Sequence, residues 1–165
     1  MTDIDARYMQ LALDCARKSP PKPTNYCVGA VLVDAEKNHI ISTGYTLELP
    51  GNTHAEQCCL QKVADAHGVK PDSVRDVLPP NAVIYTTMEP CIARLSGNLP
   101  CVDRVIQAGI DAVYCGVQEP DTFVKKNEGK AKLEAAGIKC LVVPGFDDEI
   151  LAVATAGHDE QQDKS

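Results

Sequence analysis

The sequence predicts an α/β protein, a three-layer α-β-α sandwich around a mixed five-stranded sheet. Two observations carry this reading. Segments with helical spacing of apolar residues alternate with short apolar runs, in the order helix, hairpin, helix, strand, helix, strand, helix, strand. The first two strands are close enough in sequence for an antiparallel hairpin, whereas the later ones are joined through helices and are expected to run parallel. A third observation bounds the size: 165 residues, 44% of them hydrophobic, suit one domain with a sizeable core.

In residues 4–18 the side chains Ile4, Tyr8, Leu11, Ala12 and Cys15 fall on one stripe of a helix, which the run SPPKP at 19–23 ends. Val28 to Val33 reads as a buried strand, Asp34 to Asn38 as a turn, and His39 to Tyr45 as the second strand of the hairpin. A loop with Pro50-Gly51 leads to a helix over 53–66, N-capped by Thr53, with Cys59, Leu60, Val63 and Ala64 inward and Gly68 as its stop. Residues 70–81 are a polar connection. Ala82 to Thr86 is a strand, and Pro100 to Ala108 a helix with proline in its first turn and Gly109 just past its end. Asp111 to Gly116 is a strand, Lys125 to Ala136 a helix, Lys139 to Val143 a strand and Phe146 to Ala156 a short helix. Residues 1–156 are therefore read as one domain, and 157–165 as a polar, mobile tail.

Composition narrows the function. A net charge of −7 argues against a broad nucleic-acid surface, though not against a small anion held by a few basic residues. No run approaches the roughly 20 apolar residues of a membrane span. The start, MTDIDARYMQ, has neither the basic flank nor the apolar centre of a secretory signal, so a cytoplasmic protein is expected. In that compartment eight cysteines point to metal, catalysis or packing rather than to disulfides.

Three places carry chemistry: Thr53-His54-Ala55-Glu56, Glu89-Pro90-Cys91 and Pro100-Cys101. A catalytic zinc takes three protein ligands and keeps one position open, and His54, Cys91 and Cys101 supply a suitable set. Two residues apart in mid-helix, His54 and Glu56 would point in nearly opposite directions. At a helix start both can face the space beyond its end, and Cys101 opens another helix in the same way, so two helix N-termini are expected to converge on the ion. Each residue also has a plainer reading. Thr53-x-x-Glu56 is a capping box, and a lone His or Cys is more often an ordinary polar or packing residue. Cys58, four residues beyond His54, could compete as a ligand. Cys15, Cys27, Cys59, Cys115 and Cys140 are expected to pack, and His39, His67 and His158 to face solvent.

The combination of HAE at a helix start, EPC after a strand and PC opening the next helix resembles the cytidine deaminase-like superfamily. The segments PTNYCVGAVLV, GYTLELPGNTHAEQCCL, VIYTTMEPCIARLSGNLPCVDRVIQAG and GVQEPDTFV, spanning 23–124, are similar to the fungal riboflavin-pathway deaminases. That resemblance implies a cytidine deaminase-like fold and a zinc-dependent hydrolase. The substrate it implies is a 2,5-diamino-6-ribitylamino-pyrimidinone 5′-phosphate. It also implies a homodimer, with Glu56 as proton carrier. Asn25 would then meet the pyrimidine edge, Ala55 would offer its amide to the ring, and Arg94 with Lys125 or Lys126 would meet the phosphate. Many members of the superfamily place two residues between the cysteines; here Ile92 to Pro100, nine residues, intervene, and Arg94, Ser96, Gly97 and Asn98 would contact the sugar-phosphate arm. Against these stand a turn role for Asn25 and for the RLSGN run, and a solvated helix start for the two lysines. Deamination of cytosine or deoxycytidylate, or a structural zinc in a binding module, remain alternatives.

Overall fold

Strict alternation along two buried strands decides the layering. The computed structural model describes residues 3–23, 25–90, 100–117 and 128–158. In β1 (Gly29–Asp34) every residue is buried: Ala30 and Leu32 face one core, Val31 and Val33 the other. β3 (Ala82–Met88) repeats the pattern, with Ala82 and Ile84 on the first face and Val83 and Tyr85 on the second. A strand apolar on both faces has to be covered twice, and the helices do so. On the first face lie α2 (Ala55–Ala66), α3 (Cys101–Ala108) and α4 (Glu128–Ala135), through Cys59, Val63, Val102, Val105 and Leu133. On the second lie α1 (Asp3–Ala16) and α5 (Asp147–Ala154), through Met9, Ala12, Leu13, Ile150 and Ala154. This second face also carries three tyrosines: Tyr85 stacks on Tyr114 with centroids 4.5 Å apart and meets Tyr8 at 5.2 Å. The Tyr85 hydroxyl donates to Asp5, and Tyr8 reaches Asn38 at 2.5 Å.

The remaining strands are β2 (His39–Tyr45), β4 (Ala112–Val117) and β5 (Lys139–Val142). The five-stranded sheet has the order β2-β1-β3-β4-β5. β1 is antiparallel to both β2 and β3, while β3, β4 and β5 run parallel. Four strands therefore share one direction and β1 alone opposes them. The C-terminal ends of β2 and β3 and the N-terminal end of β1 consequently lie along one edge of the sheet. The helices that follow β2 and β3 both begin there.

The elements read from sequence are all present, with shifted ends. α1 stops at Ala16, ahead of the proline run, and β3 continues to Met88. The hairpin has a register shift between Leu32 and Val33, and its turn is held by Asp34, whose Oδ1 accepts the amides of Glu36 and Lys37. The connection at 70–81 contains a 3-10 turn, Pro71–Asp76, that buries Val74. Pro100 is the N-cap of α3 rather than a first-turn residue, and Gly109 closes that helix in the left-handed region at φ 70°. Residues 125–127 of the expected fourth helix lie outside the described residues. Gly157 and His158, expected at the start of a mobile tail, are packed: Gly157 is buried, and His158 is half-buried rather than solvent-facing. His39 and His67 are exposed, as expected.

Candidate active site

Thr53 is not the cap of α2. Its hydroxyl donates to the Leu49 carbonyl at 2.9 Å, which folds the preceding loop and leaves the cap position to His54. The box is closed one residue later than the sequence suggests, by Gln57, whose Oε1 accepts the His54 amide at 3.2 Å. This register matters chemically, because Glu56 is relieved of a capping role. Its side chain is 4% exposed and lies with Oε1 3.5 Å from the Thr86 hydroxyl, near the end of β3. Thr86 in turn donates to the Met88 carbonyl at 2.8 Å. Thr86 was not anticipated; a β-branched residue in a buried strand gives no sign that it will meet a carboxylate.

Opposite this turn, Cys101 is the first residue of α3 and is fully buried. Its Sγ lies 3.4 Å from His54 Nδ1. An ion bonded tetrahedrally to an imidazole nitrogen at about 2.0–2.1 Å and to a thiolate at about 2.3 Å would hold them roughly 3.5 Å apart, so the pair fits zinc. Two helix N-termini meet here, and their dipoles favour thiolate and developing negative charge. Ala55 is the first residue of α2, so its amide lies in the first turn, beside His54. The close seating of α2 on the sheet depends on Gly44 in β2. A Cβ there would meet the Ala55 carbonyl at 2.3 Å and the Cys59 amide nitrogen at 2.9 Å.

Cys91, Arg94, Ser96, Gly97, Asn98, Lys125 and Lys126 lie outside the described residues. Among the described residues no three His, Cys, Asp or Glu side chains converge as a metal set, so Cys58 does not join His54 and Cys101. Cys58 is fully buried and its Cβ packs toward Gly44. Cys59 points to the Ala30 carbonyl at 3.5 Å; burial, reinforced by the Glu56 carboxylate, pushes its thiol well up and keeps it neutral. Cys15, Cys27 and Cys115 are buried in packing positions, and Cys140 is half-buried. Asn25 sits at the site edge of the sheet, just ahead of β1, with its amide 3.4 Å from the Lys22 carbonyl.

A mixed sheet with two helix N-termini joining a histidine, a cysteine and a buried glutamate is the architecture of a metal-dependent deaminase. Residues 2–117 match the family described as the cytidine and deoxycytidylate deaminase zinc-binding region, and the chain belongs to that family. Within it the similarity runs to riboflavin-pathway enzymes. The Rib2 deaminase of Aspergillus oryzae, a C-terminal deletion mutant solved at pH 4.6, is 50% identical; the match covers 97% of this chain and 95% of that one, with a TM-score of 0.88. The same deaminase solved in complex with DARIPP is 48% identical, with 98% and 95% of the two chains covered and a TM-score of 0.87. The diaminohydroxyphosphoribosylamino-pyrimidine deaminase of Schizosaccharomyces pombe is 42% identical over 151 residues, 92% of this chain and 35% of that protein. The chain thus spans about a third of the length of the curated relatives it matches.

Proposed function

We propose that this chain hydrolyses the 2-amino group of 2,5-diamino-6-(ribitylamino)pyrimidin-4(3H)-one 5′-phosphate, releasing ammonia and leaving the 2,4-dione, a step of riboflavin biosynthesis. The observation that carries the proposal is the seating of His54 and Cys101 at 3.4 Å beside the buried Glu56, in a chain 48% identical to a deaminase crystallised with DARIPP. In this reading the deaminase domain, expected over residues 1–156, extends through the packed Gly157 and His158, and the protein acts as a cytoplasmic homodimer. Among the described residues no helix is long and apolar enough to cross a membrane.

His54, Cys91 and Cys101 would hold zinc. The ion, when bound, supplies the Lewis acidity that makes water a nucleophile near neutral pH. The chain's own residues do the rest. Glu56 takes a proton from the attacking water and delivers it to the ring nitrogen, then takes the proton of the newly added hydroxyl and passes it to the amine, so that the carbonyl forms as ammonia leaves. Its carboxylate is buried in the first turn of α2, beside the metal-ligand pair, and the capping box of that turn is closed by Gln57. The Ala55 amide would orient the ring, and the Asn25 side chain, donor and acceptor at once, would match a pyrimidinone edge. Arg94, Ser96, Gly97 and Asn98 would take up the ribityl-phosphate arm, with Lys125 completing the phosphate contacts.

Ammonia release from the ribityl and ribosyl forms of the substrate and from deoxycytidylate tests the reading. The phosphorylated ribitylamino-pyrimidine is expected to turn over best. Efficient turnover of deoxycytidylate with none of the pyrimidinone would overturn the substrate while leaving the deaminase chemistry in place.

A further inference from the structure

The segment 22–27 that leads into β1 carries Asn25, and it does not stand alone. Ala154, at the end of α5, accepts the Cys27 amide at 3.1 Å. Gly157 lies so close to Lys22 that a Cβ would meet its backbone nitrogen at 2.3 Å. His158 packs its ring on Tyr26, centroids 4.9 Å apart, and places Nε2 at 2.9 Å from the Asn25 carbonyl oxygen. A carbonyl can only accept, so Nε2 carries the proton in this contact.

The antiparallel run of β1 puts this segment at the sheet edge where α2 and α3 begin. The Gly29 amide, at the start of β1, donates to Thr87 near the end of β3 at 3.1 Å, which fixes the two strand ends together. A hydrogen bond to the Asn25 carbonyl orients the following peptide plane and, with the Tyr26 ring held beside it, limits the directions in which the Asn25 side chain can project.

We propose that His158 is a positioning residue for substrate binding: it acts through the backbone of Asn25 and aims that side chain at the pyrimidine. The proposal rests on the reading of Asn25 as a substrate contact. The side-chain contacts of His158 are with Asn25 and Tyr26 rather than with His54 or Cys101, so in this proposal its loss acts on KM and leaves kcat and zinc content alone.

The experiment is a cycle of His158→Ala, Asn25→Ala and the double variant. It is read by KM and kcat for the phosphorylated ribitylamino-pyrimidine, with zinc content and melting temperature as controls. His158→Ala should raise KM about three- to tenfold, the range for one lost hydrogen bond, with kcat unchanged. His158→Gln, which can present an amide N–H at a similar reach, should restore KM to within about twofold. In the Asn25→Ala background, where the carbonyl remains but the aimed side chain is gone, His158→Ala should have no further effect. If Asn25→Ala raises KM but His158→Ala does not, the proposal fails and the Asn25 reading stands. Unchanged KM in Asn25→Ala removes that reading and the proposal together. Additive effects in the double variant, or no recovery in His158→Gln, would also overturn it.

Discussion

Gly44→Ala tests whether the seating of α2 on the sheet sets the catalytic geometry. Gly44 has an ordinary backbone conformation, so alanine strains nothing but space. The added Cβ would stand 2.3 Å from the Ala55 carbonyl oxygen, where ordinary contact begins at 3.4 Å, and both partners are backbone. The start of α2 must therefore move outward by about 1 Å, the difference between those two distances. His54 and Glu56 ride on that turn, whereas Cys101 belongs to α3 and does not. Metal bonds tolerate displacements of about 0.2 Å, and a 1 Å misplacement of catalytic groups can cost about 10²-fold in rate. Overpacking of this kind costs about 1–3 kcal/mol, which in a chain of this size lowers the melting temperature by roughly 3–10 °C. The assay pairs kcat/KM by ammonia release with zinc per chain and a thermal melt. A loss of about 100-fold with weakened zinc retention is expected. Activity within threefold of the parent would refute the reasoning, since α2 would then have yielded without disturbing the site.

Glu56→Gln should keep the fold and zinc but lower turnover by about 10²–10⁴-fold or more, because the amide cannot take a proton from water; near-parental turnover would end the proposed role. Cys101→Ser should lose zinc by elemental analysis while Cys58→Ser retains it, and the reverse result would reassign the ligand. Stability should fall as pH rises above the ordinary thiol range. Burial pushes Cys115 up to about 12, Cys140 to about 11 and Cys59 well above its usual value near 9.0. Above about pH 9 the unfolded chain therefore binds fewer protons than the folded one, and the sign of the linkage disfavours folding. Urea midpoints at pH 8 and pH 10 read this directly, and an equal midpoint at both would argue against buried neutral thiols.

Much of this arrangement is legible before any coordinates. The spacing of apolar residues gives every strand and α-helix among the described residues, though not the 3-10 turn Pro71–Asp76. HAE and PC fall at the starts of α2 and α3, with the cap one residue later than expected at α2 and on Pro100 at α3. What the sequence could not rank is competition between neighbours for the same backbone groups. Thr53 is the better intrinsic cap, yet its hydroxyl is already committed to Leu49, and the cap falls to His54. Glu56 completes a capping box on paper, but it is Gln57 that closes the real one. Thr86 and His158 carry no motif at all. Their roles come from contacts 30 and 133 residues away along the chain, which local pattern does not encode.

The tyrosine stack on the α1 side has a practical optical consequence. With no tryptophan and five tyrosines, near-ultraviolet dichroism and intrinsic emission come almost wholly from Tyr8, Tyr26, Tyr45, Tyr85 and Tyr114. Three of these form the stack on the face away from His54 and Cys101. Stripping the metal-ligand pair should leave that part of the spectrum intact, whereas detachment of α1 should erase it. Tyr26 reports separately on the contact with His158. The chain thus carries its own chromophores for telling a damaged site from a loosened fold, without any label being introduced.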